Sequence, residues 1–390
     1  MVEQYILDDE KTKSLIEAAL RQTYFAEYDQ DFLETEEGRE DIENNVFKRY
    51  NHSLRHVVPW LSRYMDLGGR RVLEIGCGTG SSTAALARFV GHITAYDIHA
   101  PSLEGAARRL DILQLDNVDL RLVETDNLTD HIVADSGSGY DVILLFAVLE
   151  HQTVEERHET LAACWQALGA EGMMVVVDTP NILCYFDAHT SRLPFLHMLP
   201  SRLYARYAVN SPREGFNSDF ADGDGRTAGE LELAIARWAR GVSFHDFELA
   251  LGREYREYII SHGFEAEILD WFPISVEEEI LRWYVEHKGF DVPPAFTRWI
   301  LNMIFRKSGH GRSGMPPEQV VPTTAFPARD RLDRLQRELD EKTFLLEELR
   351  RSKTWRLGNF MAQPYRLAAG LISLWRRRLK NDDHRPPFGQ

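Results

Sequence analysis

Val72-Leu73-Glu74-Ile75-Gly76-Cys77-Gly78-Thr79-Gly80 is the stretch that decides the fold. Residues 71–75 form a short apolar run that reads as a strand, and residues 81–90 read as a helix starting directly after the last glycine. Glycine at 76, 78 and 80 suits a backbone that turns tightly and lets a ligand approach it closely. The helix behind the loop presents free N–H groups to an anionic ligand.

Outward from this loop, strands and helices alternate. Strands are expected at 93–96, near 120–123, at 141–146 and at 173–177, separated by helices at 102–115 and 154–168. Such alternation predicts βαβ units, hence an α/β fold with a Rossmann-like sheet and helices on both faces. A helix at 254–262 and strands at 264–271 and 299–305 are expected to complete it.

The organisation that follows is a helical cap at 1–66 and a main domain at 67–308. Within the main domain, 180–250 is a long aromatic-, Asp- and His-rich run without evident periodicity, the pattern of a substrate lid. Residues 309–329 read as a linker. Leu332, Leu335, Leu339, Leu346 and Leu349 then fall on heptad positions, with Lys342 filling one slot, which predicts a short coiled coil over 330–353. Residues 354–380 form a basic amphipathic tail, expected to be helical and to lie on an anionic membrane surface.

Composition narrows the function. A net charge of −16 argues against nucleic acid as a partner, since phosphate contacts need clustered Lys and Arg. Basic residues gather instead at 350–380, where no acid interrupts them. Cys77, Cys164 and Cys184 show no metal-ligand spacing and suit a reducing compartment. The N-terminus shows no secretory pattern and no stretch is apolar enough to span a bilayer, so the expected place is cytoplasmic, peripheral on the inner face of the cytoplasmic membrane.

The glycine loop has the spacing GxGxG. A dinucleotide fingerprint would need a third glycine at position 81, which is Ser81. With Glu74 before it, the segment resembles the first signature of class I S-adenosylmethionine-dependent methyltransferases. That resemblance implies S-adenosylmethionine as cofactor, its amino-acid end held by Glu74, Gly76, Gly78 and Gly80. Asp97, about 20 residues beyond the loop at the end of the second strand, is placed to accept both ribose hydroxyls. Asp126 and Asn127 follow the third strand, where the family contacts adenine.

Leu149-Glu150-His151 ends the fourth strand and resembles the Glu-His dipeptide of quinone-biosynthesis methyltransferases. Small-RNA terminal methyltransferases hold Mg²⁺ through a Glu-x-x-Glu-His pattern, but here the first position is Ala147, so no metal is assigned. Methyl transfer to a hydroxyl needs a base, and histidine is a natural one. His189 and His151, after strands five and four, are the candidate catalytic residues; Asp187 and His245 are candidate substrate-binding residues.

The segments 178–181, 186–190, 193–195 and 244–249 resemble methyltransferases from bacterial polysaccharide gene clusters. Ser352-Lys353-Thr354-Trp355-Arg356, followed by Pro364-Tyr365-Arg366, is similar to the tails that follow coiled coils in glycan-assembly enzymes. These resemblances imply O-methylation of a sugar hydroxyl on a lipid-linked or growing polysaccharide, at its chain end in one version. The implied partners are the glycan acceptor, glycosyltransferases reached through the tail, and a second copy through the coiled coil. Two alternatives stay open: a quinone or other small aromatic acceptor, and a catalytically idle scaffold that recruits glycosyltransferases.

Overall fold

The computed structural model describes residues 2–221 and 225–308; the linker, coiled coil and amphipathic tail expected from the sequence lie outside the described residues. Seven strands form one sheet: β1 (Arg71–Ile75), β2 (His92–Asp97), β3 (Val118–Leu122), β4 (Tyr140–Phe146), β5 (Leu168–Pro180), β6 (Ile259–Ser261) and β7 (Ile300–Arg306). Their spatial order is β3-β2-β1-β4-β5-β7-β6. The first five run parallel, and β7 is antiparallel to both β5 and β6. This is a Rossmann-like sheet, and its strand order reverses between β1 and β4, where such folds open a ligand crevice at their carboxyl edge.

The strands are buried on both sides because side chains alternate across the pleat. Leu73, Ile75, Ile143, Leu145, Met174 and Val176 enter one core, under the helix Val154–Ala167. Val72, Val142, Leu144, Val175 and Val177 enter the other, beneath Val57, Trp60 and Leu61 of the N-terminal region.

Residues 36–62 are continuously helical, with two looser π segments, Asn44–Lys48 and Ser53–Val57. The second has a plain cause: Pro59 has no N–H to give to the preceding turn, and the ladder loosens just before it. Arg109 clamps this helix to the glycine loop. Fully buried, it donates to Thr79 O at 2.8 Å and Val46 O at 3.0 Å, and also to Asn45 O. Burial, helped by the charge of Arg49, pulls its guanidinium down to about 9. We predict that Arg109→Met, which orphans three carbonyls, destabilises the fold by about 3 kcal/mol, read as a fall in the thermal unfolding midpoint.

Two expectations are corrected. Residues 264–271 are not a strand: the helix Ala266–Trp271 occupies them, and the strand comes earlier, as β6, inside the span expected to be helical. Gly263 explains the switch. Its φ is +74°, and a Cβ there would meet Asn302 O of β7 at 2.6 Å, so the chain turns sharply where only glycine fits. Nor is 180–250 without regular structure. It carries helices Ser201–Ala208, Glu214–Asp219, Ala228–Arg237 and Phe244–Leu251. Leu196, Tyr204, Phe216, Phe220, Leu231 and Ile235 give it a core of its own.

Candidate functional site

The glycine loop leaves β1 with Gly76, Gly78 and Gly80 all at positive φ. The three differ in what surrounds them. A Cβ on Gly76 would strike Val148 at 2.5 Å and one on Gly80 would strike Ala106 at 2.8 Å, whereas Gly78 has nothing within 4 Å. Gly76 and Gly80 therefore serve packing, and the backbone at Gly78 is left open for a ligand.

Asp97 ties the loop down. It accepts from Gly78 N at 2.6 Å and from His99 N at 2.9 Å, one bond to each carboxylate oxygen. It also lines a cavity of about 240 Å³ at the carboxyl edge, shared with Gly76, Tyr96, Ile98, Val123 and Thr125. Asp126 and Asn127 sit in the turn Thr125–Asn127 at the rim. There Asn127 accepts from Glu124 N through its side chain, and Asp126 is exposed. Glu74 lies beneath, fully buried, taking a hydrogen bond from Ser82 Oγ at 2.5 Å. Burial pushes its carboxyl up to about 7, only partly offset by Ser82.

The insertion closes the far wall. Arg237, at the end of its helix Ala228–Arg237, lines the cavity and donates to Glu156 through both terminal nitrogens, at 2.8 and 2.6 Å. It also donates to His151 O at 2.6 Å, while its own carbonyl lies 3.0 Å from His151 Nδ1. His151 thus lines the cavity but is held by backbone, and burial lowers its basicity.

A second cavity, about 210 Å³, is lined by Asn44, Arg49, His52, Asp178, Trp271 and Phe272. Arg49 caps the Phe146 ring at the end of β4, 5.4 Å from its centroid. It makes no side-chain hydrogen bond or ion pair among the described residues. Asp178 stands where β5 bulges, between Val176 and Thr179, with φ at +54°. A bulge of this kind re-aims a side chain, often beside an active site. Burial pushes Asp178 up to about 6, with Arg49 pulling the other way. Neighbouring Glu150 is fully buried, neither carboxyl oxygen has a partner among the described residues, and burial pushes it up to about 8.

The other sequence candidates are placed differently. His189 is exposed, with Nδ1 3.2 Å from Thr190 Oγ1, and desolvation by the groups packed around it, together with the nearby His151, depresses it to about 4. A ring so weakly basic is a poor proton acceptor at neutral pH. Asp187, expected to bind substrate, is engaged in organising its own loop. It accepts from Thr190 N, Ser191 N and Ser191 Oγ and pairs with His197 at 3.2 Å. Burial works against its charge, yet those partners hold it well below the usual carboxylate range and leave no free lone pair. His245 is exposed, stacked on Phe244, and lines neither cavity. Among the described residues, no group of three or more His, Cys, Asp or Glu is arranged to hold a metal ion.

Arg49, Asp178, Trp271 and Arg237 escaped the sequence reading as site residues. For Asp178 a signal existed, since it is a charge at the end of an apolar strand.

Residues 73–174 match the family model of a methyltransferase domain. The chain is 32% identical over 136 residues to a ubiquinone biosynthesis O-methyltransferase of Xylella fastidiosa, covering 35% of this chain and 52% of that protein. It is 30% identical over 129 residues to an uncharacterized methyltransferase of Mycobacterium bovis, covering 33% and 60%. The chain thus spans about half the length of the curated relatives it matches. A solved structure of magnesium protoporphyrin IX methyltransferase from Synechocystis, with bound S-adenosylhomocysteine, aligns at 20% identity over 44% of this chain and 74% of that one, with a TM-score of 0.32.

Proposed function

We propose that the chain uses its methyltransferase domain to move a methyl group from S-adenosylmethionine to a hydroxyl of a sugar in a lipid-linked or growing polysaccharide. The observation that carries the donor half is the glycine loop pinned by Asp97 at the switch point of the sheet, within the segment that matches the domain model. The open face of Gly78 is a cradle that any side chain would fill, which fits a cofactor lying against it.

In this reading Asp97 accepts the ribose hydroxyls and the turn Thr125–Asn127 faces adenine. Arg49 holds the donor's carboxylate. When bound, the donor supplies an electrophilic methyl carbon; the acceptor oxygen bonds to it as the carbon–sulfur bond breaks and its electrons go to sulfur. What the chain must do is align the hydroxyl and take its proton. Asp178 is the side chain fitted to that task, because it lines the second cavity and is largely ionised at neutral pH. An Arg49→Met variant is expected to weaken S-adenosylhomocysteine binding by roughly ten- to a hundredfold, the value of a charge-assisted hydrogen bond, measured by titration calorimetry.

The sugar acceptor rests on the resemblance of 178–195 and 244–249 to polysaccharide-cluster enzymes and on the polar second cavity. The membrane surface, the glycosyltransferase partner and self-association rest on the sequence of 330–380. Among the described residues no helix is long and apolar enough to cross a membrane. A second reading, a quinone or similar aromatic acceptor, is favoured by the Glu150-His151 dipeptide and by the likeness to a ubiquinone biosynthesis O-methyltransferase.

The experiment is transfer of labelled methyl from S-adenosylmethionine into the polysaccharide and apolar lipid fractions of source cells, with Asp97→Ala as the blank. Label in polysaccharide, lost with the blank, is the expected result. Label that stays with a quinone after removal of lipid-linked glycan replaces the sugar reading with the second one. Truncation after Arg350 is expected to release the protein from the membrane fraction.

A further inference from the structure

The second cavity is accounted for by the donor only at its Arg49 edge. Its walls come from three separate segments: Asn44, Arg49 and His52 from the long N-terminal helix, Asp178 from β5, and Trp271 and Phe272 from the end of the helix before residue 275. Asp178 lies two strands from the glycine loop, since β4 separates β5 from β1. At about 4.8 Å per strand that is roughly 10 Å, so this wall stands beyond the donor's own footing on β1 and β2.

The placement of these groups is unusual in the backbone as well. Arg49–His52 is the one α-helical turn between the two π segments, and such segments are frequent at functional sites. Asp178 takes its direction from a bulge and a left-handed φ, a strained setting that the packing around it must maintain. Behind it lies Glu150, fully buried with both oxygens unpartnered among the described residues.

We propose that this cavity is the acceptor subsite and that it takes a hydroxylated pyranose ring rather than a flat aromatic one; the proposal rests on the methyl-transfer reading above. Four of the six lining side chains carry hydrogen-bonding groups, and they ring a single aromatic wall. Trp271 and Phe272 make that wall, with ring centroids 4.4 Å apart. It is backed by His56, stacked on the indole at 5.6 Å, and by His52 at 5.2 Å. Hydroxyls around the ring then meet Asp178 as acceptor and Asn44 and His52 as partners, with Arg49 engaged by the donor's carboxylate at the cavity's edge, while the ring's C–H face rests on the aromatic wall. A quinone or catechol has one or two oxygens and would leave the half-buried Asp178 and His52, and Asn44 at the rim, largely without partners on the ligand, which is costly once the ligand covers them.

The test is saturation-transfer NMR on the full chain loaded with S-adenosylhomocysteine, using methyl glycopyranosides and 3,4-dihydroxybenzoate as probes, with calorimetry for the nucleoside. Expected are saturation of glycoside ring protons, none for the aromatic probe, and loss of the glycoside signal in Trp271→Ala and Asp178→Asn. Nucleoside affinity should stay within about twofold of the parent in both. Asp178→Asn preserves shape, so it decides the matter where Trp271→Ala fails to fold. Saturation of the aromatic probe alone, of neither probe, or of glycosides unaffected by Asp178→Asn overturns the subsite. Failure to bind S-adenosylhomocysteine at all would instead overturn the methyl-transfer reading on which it rests.

Discussion

Asp97→Ala is expected to weaken binding of S-adenosylhomocysteine by at least a hundredfold, with the chain still folded by circular dichroism. Two losses combine. The carboxylate that would receive two ribose hydroxyls is gone, and hydrogen bonds to a charged group are worth about 1.5–3 kcal/mol each. The loop also loses its anchor, because Gly78 N and His99 N now donate to the same two oxygens. Asp97→Asn separates the effects. Its amide oxygen can still accept from one of those N–H groups, so the loop is partly held while one acceptor for the ribose is missing. The asparagine variant should fall between parent and alanine. Calorimetry that found Asp97→Ala at parental affinity would remove Asp97 from the donor site, and with it the assignment of the cavity it lines.

The donor half of this site was legible in the sequence because its determinants are local. A strand, three glycines at GxGxG spacing and a following helix all lie within residues 71–87, and Asp97 ends the next strand, so a short-range pattern carries them. The same holds for the parallel strands, whose apolar runs are bounded by glycine, aspartate and asparagine. Elements were lost where the local signal is short. Residues 259–261 and 266–271 make a strand of three residues and a helix of six, too short for a period of two or of 3.6 to declare itself. In 180–250 the helices run six to ten residues each and the apolar positions of the first three pack on one another rather than on the sheet, so composition resembled a loop.

The acceptor half was not legible for a different reason. Asn44 and Trp271 are brought to Asp178 only by tertiary packing, and nothing in the segments of those two marks them. The histidines drew attention by residue type instead. Their surroundings decide otherwise, since local desolvation and the nearby His151 make His189 weakly basic, and Asp187 is taken up by the loop's own donors. Burial acts in the opposite sense on carboxyls, raising Asp178 and Glu150 toward the range where a general base operates.

Asp178→Asn should therefore lower kcat by roughly 10²- to 10⁴-fold, the span usual for loss of a positioned base, while leaving donor affinity close to parental. The direction of the pH dependence follows from which form works. A base must be deprotonated, and Asp178 is pushed up to about 6, so kcat should be small at pH 5, rise through about pH 6 and level off above it. An ordinary surface carboxylate would have finished titrating well below that. Glu150, pushed up to about 8, is still protonated and neutral where Asp178 titrates, so Glu150→Gln should leave the rise near pH 6 in place. His189→Ala, likewise, should leave the position of the rise unchanged. A profile that shifted with His189 and ignored Asp178 would return the proton to the histidine and leave the bulge in β5 without a catalytic purpose.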